Sequence, residues 1–237
     1  MIRIPATTQQ NLIESKSLSA VTPPVDKEII NDVISGASSL ALSKENSLRL
    51  LDAIGISRER TYIATDLEQA RIAVTDIGFP INMKTVSVYE ADTPEVVENI
   101  TDRNTMRLEF GRLMRGQNAK GILITPSLSG AVTYLGIRHK EGLGHLVVCG
   151  AVTPEDTRPT RLVYCTLPVT KTEATEVYQR VKGDYQVNEV IFTDTLRRLS
   201  ALCTVAPQID KLDIFPVIVS ARSVVALDAS ATIRKTI

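Results

Sequence analysis

The chain has 237 residues, 43% of them hydrophobic, and its 27 lysines and arginines balance its 27 aspartates and glutamates. This length is enough to bury a substantial core, as one large domain or two small ones. Because there is no basic excess and no tryptophan, the composition lacks the signature of a nucleic-acid-binding protein and the basic patch of a membrane-surface protein, and we exclude both partners.

The start of the chain predicts a linker followed by two helices. Residues 1–25 are rich in Thr, Gln, Ser and Pro and show no sustained periodicity, which predicts an extension or linker. An amphipathic stretch from about residue 27 predicts a helix that ends at Gly36. A second such stretch predicts a helix that begins at Ser43 and ends at Gly55.

The middle of the chain mixes helices with strands. Thr65 and Glu68 have capping-box spacing, which predicts a third helix that ends before Pro80. Further elements are predicted from periodicity: a strand at INMKTVSV, a short run at EVVENI, a helix at 102–114, and strands at GILITP and AVTYLGI joined by a tight SLSG turn.

The second half repeats the mixture and suggests two lobes. Thr170 and Glu173 again have capping-box spacing, before a helix predicted to end near Gly183. The other predicted elements are strands at HLVVCGAV and RLVYCTLPV, a helix at 189–204, and a hairpin of KLDIFPVIV with SVVALDA. Strands that arrive in groups between helices predict an α+β, two-lobed architecture, which we divide into lobes at 26–118 and 119–237.

The cysteines and the absence of targeting signals predict a cytoplasmic protein. Cys149, Cys165 and Cys203 are widely spaced in apolar surroundings, which fits a reducing compartment better than a disulfide framework, and they form no recognisable metal cluster. No apolar stretch is long enough to span a bilayer, and MIRIPATTQQ lacks the apolar core of a signal peptide.

Four segments, in order, resemble the NDP-forming acyl-CoA synthetases. LLDAIGI and TYIATDLEQARIAVTDIGFPINMKTVS resemble that family's LL..YGIP and ATS.EEA...A..IGYPVVLK..S, with the spacing preserved. GILITPSLSGAVTYLGIRHKEGLGHLVVCG is similar to GVLVQPM..G.EVIVGV.RDP.FGP.VMFG, and KLDIFPVIV with VVALDA is similar to ELDINPLLV with VAVDA. The resemblance covers roughly residues 28–237 and identifies the chain as similar to the ATP-grasp part of that family, the β subunit in succinyl-CoA synthetase.

The resemblance implies a fold, cofactors and a partner. It implies an ATP-grasp fold in which two lobes with mixed or antiparallel sheets and flanking helices clamp Mg-ATP. The implied partner is a CoA-binding subunit or domain, which this chain does not itself contain, and a homo-oligomer stays open. In the family, phosphate passes through a histidine to make an acyl phosphate and then acyl-CoA.

The resemblance also implies nucleotide contacts. Lys84 matches the lysine of PVVLK that reaches the phosphates, although without this resemblance an exposed strand lysine is the simpler interpretation. The adenine is implied to bind backbone groups of the segment that links the lobes, here Thr125, Ser127 and Leu128. These groups tolerate almost any side chain.

The phosphate loops have lost the family's residues. Where the family has HKSDVGG, this chain has residues 89–95, YEADTPE: Tyr89 replaces the histidine, Pro94 removes an N–H, and Glu95 adds a negative charge. The second loop, FGLGG, aligns with 149–153 and keeps one glycine. The family's arginine falls on Cys165 and its glutamate on Val132, so we assign no catalytic residue.

The implied magnesium site keeps one ligand of two. The metal-binding asparagine of DINP falls on Phe215 and the aspartate of VAVDA on Asp228. Phenylalanine offers no oxygen to magnesium, whereas Asp228 retains a carboxylate. A core aromatic on a strand is the simpler interpretation of Phe215.

Two functional hypotheses remain open. One is a fold that has lost catalysis and serves as a binding or scaffolding protein; the other is an active ATP-binding subunit of an acid–thiol ligase. His139 and His145 have no neighbouring nucleophile or acid in sequence, so we predict exposed loop histidines.

Overall fold

The computed structural model describes residues 23–89, 91–152, 159–182 and 187–234. These residues form two compact units. The larger unit combines the described residues up to Arg58 with those from Ser129 onward, and the smaller unit is Glu59–Leu128. This division differs from the predicted lobes at 26–118 and 119–237, because the leading helices pack with the larger unit while the strand after residue 118 pairs within the smaller one.

The described residues of the larger unit form four helices and a seven-stranded sheet. The strand order is β1-β10-β9-β6-β7-β8, with β11 also paired to β9. Only the β1–β10 pair is parallel, so the sheet is mixed, as the α+β prediction requires. Its elements are α1 (Lys27–Ser35), α2 (Lys44–Ala53), β1 (Ser57–Arg58), β6 (Ala131–Lys140), β7 (Gly144–Ala151), β8 (Thr160–Thr166), α5 (Lys171–Val181), α6 (Glu189–Val205), β9 (Ile209–Val219), β10 (Val224–Ala226) and β11 (Ala229–Ile233).

The core of the larger unit lies on one face of this sheet. Strand alternation turns Leu135 of β6 and Leu212 of β9 toward the helices, where both are fully buried against Phe192 of α6. The residues that alternate with these leucines along the two strands, including Tyr134 and Asp213, therefore point to the opposite face. We call this the outer face of the large sheet.

The smaller unit is an antiparallel sheet with two helices on one side. Its strand order is β2-β5-β3-β4. Ile81 and Met83 of β3 are fully buried in a core that includes Val74 and Phe110 from the helices. The outer face of the small sheet is the opposite side. The elements are β2 (Tyr62–Ala64), α3 (Leu67–Ile77), β3 (Ile81–Ser87), β4 (Val96–Ile100), α4 (Arg103–Met114) and β5 (Ala119–Pro126).

Local signals predicted most helix boundaries. Thr170 and Glu173 form the predicted capping box of α5, with both reciprocal hydrogen bonds present. The predicted box at Thr65 is wrong by one residue, because Asp66 caps α3 and accepts from the backbone N–H of Gln69. In the described part of the chain, no helix is long and apolar enough to cross a membrane.

Two predictions are wrong, one about a connection between strands and one about the two histidines. β5 and β6 are not a hairpin across SLSG, since β5 pairs with β2 and β3 of the smaller unit and β6 pairs with β7 and β9 of the larger. His139 and His145 are half-buried and lie directly opposite each other on β6 and β7, because the hairpin turn is shorter than the sequence suggested.

Candidate functional site

Lys84 lies on the outer face of the small sheet. It is directly opposite Leu123 of β5 and Val96 of β4, so the three side chains share that face, whereas the neighbouring Met83 points into the core. Lys84 is exposed, and within the described residues its ammonium makes no ion pair or hydrogen bond. The side chain is therefore available to an anion.

The three residues predicted to contact a base lie at the end of β5. Thr125 is directly opposite Asn82 of β3, which places it on the same face as Lys84, two positions along the strand. Ser127 donates its backbone N–H to the carbonyl of Pro80 at 2.9 Å. Thr125, Ser127 and Leu128 are half-buried. Because the Ser127 N–H is already engaged, fewer backbone donors remain for a ligand than the resemblance implies.

The segment that replaces the first phosphate loop is tied to the smaller unit. The Glu95 backbone N–H donates to Thr85 Oγ1 at 2.8 Å, and the Glu95 carbonyl accepts from the Thr85 N–H at 2.9 Å. The Glu95 carboxylate pairs with Arg112 of α4, and the hydrogen bonds from Arg112 to Glu95 and Glu109 raise the pKa of the guanidinium. Glu90 lies outside the described residues. The charge of Glu95 is thus matched by Arg112 and is less repulsive to an anion than its sequence position suggests.

Phe215 and Asp228 are neighbours across the predicted hairpin. The Phe215 N–H donates to the Asp228 carbonyl at 3.1 Å. Asp228 Oδ1 accepts from its neighbour, the Ala229 N–H, at 2.8 Å and lies 3.2 Å from Lys44 Nζ of α2. The backbone therefore brings together the two positions that the resemblance implies as metal ligands.

The side chains at these positions do not fit a magnesium ion. Phe215 supplies no oxygen, and the Asp228 carboxylate is already paired with a lysine ammonium. Among the described residues, no group of three or more His, Cys, Asp or Glu side chains could hold a metal. The chemistry that a metal-bound triphosphate requires is therefore not supported by this pair.

The described residues of the second loop and the arginine position lie on strands β7 and β8 or directly after β7. Cys149 lies within β7 and Cys165 within β8, both buried in the core of the larger unit. Burial raises the pKa of the Cys149 thiol, with a further contribution from Cys165. Burial also raises the pKa of Cys203, to about 12. Thr153 lies outside the described residues. A cysteine side chain carries no positive charge in either protonation state and therefore cannot replace an arginine that binds phosphate.

The two histidines form an edge-on pair with a ring-centroid distance of 5.0 Å. His145 Nε2 lies 2.6 Å from the carbonyl of Ile209, and His139 Nε2 lies 3.0 Å from Arg234 Nη1. Burial, with the nearby charges of Arg234 and His145, lowers the pKa of His139. His139 therefore serves as a neutral acceptor for Arg234, and no phosphate-accepting role follows from this geometry.

A polar cluster on the outer face of the large sheet was missed by the sequence analysis. Asp213 of β9 accepts from Tyr134 Oη at 2.6 Å and from Lys211 Nζ at 2.6 Å, and it pairs with Arg138 Nη2. Tyr134 and Arg138 lie four residues apart on β6, so alternation places them on one face. The signals available were that spacing and the single acid that interrupts KLDIFPVIV, but 75 residues separate Arg138 from Asp213.

Opposing effects act on the cluster's ionisation. Burial alone would raise the pKa of Asp213, but hydrogen bonds from Lys211, Tyr134 and Arg138 outweigh it and hold that pKa below its ordinary value. Burial, followed by the hydrogen bond to Asp213, raises the pKa of Tyr134 far above its ordinary value. The cluster is therefore an ionised carboxylate held by a neutral phenol and two cations.

The cluster predicts a loss of stability in acid. Because the folded-state pKa of Asp213 is below its unfolded value, near 4, its contribution is fully present above that value and is lost as the pH falls through the folded-state pKa. Urea unfolding between pH 6 and pH 3 should show a steeper loss for the wild type than for Asp213→Asn. Parallel curves for the two proteins would contradict this assignment.

A groove of the smaller unit lies elsewhere. It has a volume of about 620 Å³ and runs between α3 and α4, lined by Ile72, Arg103 and Arg107 among others. Since both helices pack on the core side of the small sheet, this groove is on the opposite side from Lys84. We prefer the face that carries Lys84 and Thr125 as the candidate site over this groove, because it holds the residues for which the resemblance implies nucleotide contacts.

Comparison with known proteins identifies the family to which the chain is similar. A profile described as "ATP-grasp domain" matches residues 32–233. The acetate–CoA ligase (ADP-forming) II of Archaeoglobus fulgidus is 30% identical over 208 residues, which cover 80% of this chain and 30% of that protein. The acetate–CoA ligase (ADP-forming) I subunit beta of Pyrococcus furiosus is 24% identical over 219 residues, covering 81% of this chain and 92% of the subunit.

A solved structure shares the fold. The dinucleotide-forming acetyl-coenzyme A synthetase 1 of Ca. Korarchaeum cryptofilum, solved with coenzyme A, Ca-AMPCP and HgCl+, has a TM-score of 0.57 at 20% identity. The match covers 86% of this chain and 99% of the compared chain. This similarity supports the two-sheet α+β architecture described above.

Proposed function

The chain belongs to the ATP-grasp domain family, and from this premise we propose that it is a catalytically impaired relative of the ADP-forming acetate–CoA ligases with a binding or scaffolding role. One observation carries the proposal. Phe215 and Asp228 adjoin through a backbone hydrogen bond, yet one supplies no oxygen and the other is paired with Lys44. A triphosphate needs its charge neutralised by a metal, and this pair is poorly suited to hold one.

The proposed partner is a CoA-binding subunit or domain. The chain spans about 30% of the length of the first relative and 92% of the second, which is named as a beta subunit. Because the match covers nearly the whole length of that beta subunit, this chain is suited to associate with a second subunit or domain. A homo-oligomer is the other assembly we consider.

A second candidate function is an active nucleotide-binding subunit. The observation that favours it is Lys84, exposed and without a partner among the described residues, on the same face as Thr125. In this function Lys84 contacts phosphate, the backbone of Thr125, Ser127 and Leu128 contacts the base, and Asp228 exchanges Lys44 for magnesium. ATP and Mg²⁺ are then the cofactors.

Thermal unfolding with and without Mg-ATP separates the two functions. We expect no shift in Tm at millimolar Mg-ATP. A bound ligand at one hundred times its Kd would stabilise the protein by about 2.7 kcal/mol, which displaces the Tm by several degrees.

Two lysine variants make the measurement specific. Lys84→Ala removes the proposed phosphate contact, whereas Lys120→Ala removes another exposed lysine of the same sheet, near the opposite end of β5 from Thr125. A positive shift in the wild type that persists in Lys120→Ala and disappears in Lys84→Ala would overturn the proposal and establish the second function.

A further inference from the structure

A cavity of about 320 Å³ lies on the outer face of the large sheet, within the larger unit alone. Its lining includes three aromatic side chains, Tyr134, Tyr164 and Phe215, together with Leu162, Arg138 and Asp213. Phe215 lies on β9, and its half-buried ring forms part of the cavity wall. The volume is within the range of small-molecule sites.

The charged groups of this cavity are already engaged with one another. Arg138 Nη1 donates to the carbonyls of Ile137 and Leu212, at 2.8 and 3.2 Å, and Nη2 donates to Asp213. Asp213 in turn accepts from Tyr134 and Lys211. A charged ligand would have to compete with these existing bonds for Arg138 or Asp213, so the lining favours an uncharged one.

The apolar lining, by contrast, is left uncovered. Tyr164 and Leu162 of β8 alternate with core residues and are 52% and 43% exposed. Large side chains exposed beside one another on a sheet face commonly mark a binding surface. Aromatic rings present flat faces that stack on other rings, and Arg138 already lies 5.7 Å from the centroid of the Tyr134 ring.

We propose that this cavity binds an uncharged, planar aromatic molecule that contacts the rings of Phe215 and Tyr164. The proposal rests on the binding role proposed above and makes it more specific. It assigns a new class of ligand to Phe215, the position at which the resemblance implies a metal-binding asparagine. Phe215 supplies stacking area, Tyr164 and Leu162 supply the apolar rim, and the cluster of Tyr134, Arg138 and Asp213 forms a polar floor whose side chains are bonded to one another.

Two probes of the same shape and different charge test this proposal. Binding of 2-naphthamide, which is neutral, and of 2-naphthoate, which is anionic, is followed by the fluorescence of the probes with the full chain. The absence of tryptophan leaves their emission free of interference from that residue. We expect saturable binding of 2-naphthamide and at least about tenfold weaker binding of 2-naphthoate.

Substitutions locate the binding. Tyr164→Ala, at a position that is 52% exposed, should weaken 2-naphthamide binding by about tenfold, the loss expected when one stacked ring is removed. Tyr89→Ala removes a tyrosine that is 61% exposed in the smaller unit and serves as the matched control. Equal binding by the two variants, or binding of 2-naphthoate as tight as that of 2-naphthamide, would overturn the proposal.

The outcome is independent of the nucleotide experiment. Failure of 2-naphthamide to bind overturns this inference alone, because the response to Mg-ATP is measured separately and depends on Lys84. A Lys84-dependent response to Mg-ATP overturns the proposed loss of catalysis, whatever the naphthalene probes show.

Discussion

Replacing Gly136 with alanine is expected to lower the free energy of unfolding of the larger unit by about 3 kcal/mol. An added Cβ would lie 2.5 Å from the carbonyl oxygen of Leu212 and would overlap the Tyr134 hydroxyl. The backbone cannot retreat easily, since β6 is paired with β7 on one side and β9 on the other. The tyrosine must then move and give up its hydrogen bond to Asp213.

Urea denaturation followed by circular dichroism measures this loss, and amide hydrogen exchange at β6 and β9 locates it. Gly111→Ala is the matched control, because an added Cβ on α4 meets nothing closer than 3.7 Å. Alanine in a helix interior is favoured over glycine by up to about 1 kcal/mol, so this variant should be slightly more stable than the wild type. Wild-type stability in Gly136→Ala would show that the close approach of Tyr134 is not required.

Replacing Asp213 with alanine is expected to cost about 2 to 3 kcal/mol. Its carboxylate is only 22% exposed, and its removal leaves Arg138, itself 26% exposed, without its counter-charge and the Tyr134 hydroxyl without an acceptor. Breaking one side of a buried pair costs more than the pair contributes, because the remaining charge is not rehydrated. Because Arg138 is partly exposed, we expect a smaller loss of unfolding free energy than for a fully buried pair.

Asp32→Ala serves as the control for Asp213→Ala. Asp32 pairs with Arg49 on the surface and is 63% exposed, so its loss should cost less than about 1 kcal/mol. A double-mutant cycle with Tyr134→Phe measures how much the Tyr134–Asp213 hydrogen bond contributes to the free energy of unfolding. Losses of equal size in Asp213→Ala and Asp32→Ala would mean that the cluster contributes no more than a surface ion pair.

Local patterns in the sequence were sufficient for most of the elements. The helix start at Ser43, the capping box at Thr170 and the strand at KLDIFPVIV are each decided within a few residues, and the structure confirms all three. The ATP-grasp resemblance depended on order and spacing over the whole chain, and the match to residues 32–233 confirms it. Lys84 and Thr125 were correctly placed on strands, and their shared face follows from register.

The features that escaped prediction depend on contacts between distant residues. Nothing near Asp213 indicates that its partners Tyr134 and Arg138 lie on another strand, or that Gly136 makes room for the tyrosine. The SLSG segment has turn composition, yet it connects two sheets, since pairing partners and not turn residues decide where β5 belongs. The pairing of Asp228 with Lys44 likewise joins opposite ends of the chain.

The insertion of one unit into the other has a consequence for synthesis on the ribosome. The Ala231 N–H donates to Ser47 Oγ across 184 residues, so α2 contacts β11 only after the ribosome has added that further length of chain. At typical elongation rates the wait is roughly 10 to 40 s. During that time the apolar faces of α1 and α2, with Ile30 and Leu50 among them, are without their final partners, whereas the contacts within Glu59–Leu128 are all local to the nascent segment. We therefore expect the leading helices to be the part of the newborn chain that chaperones hold.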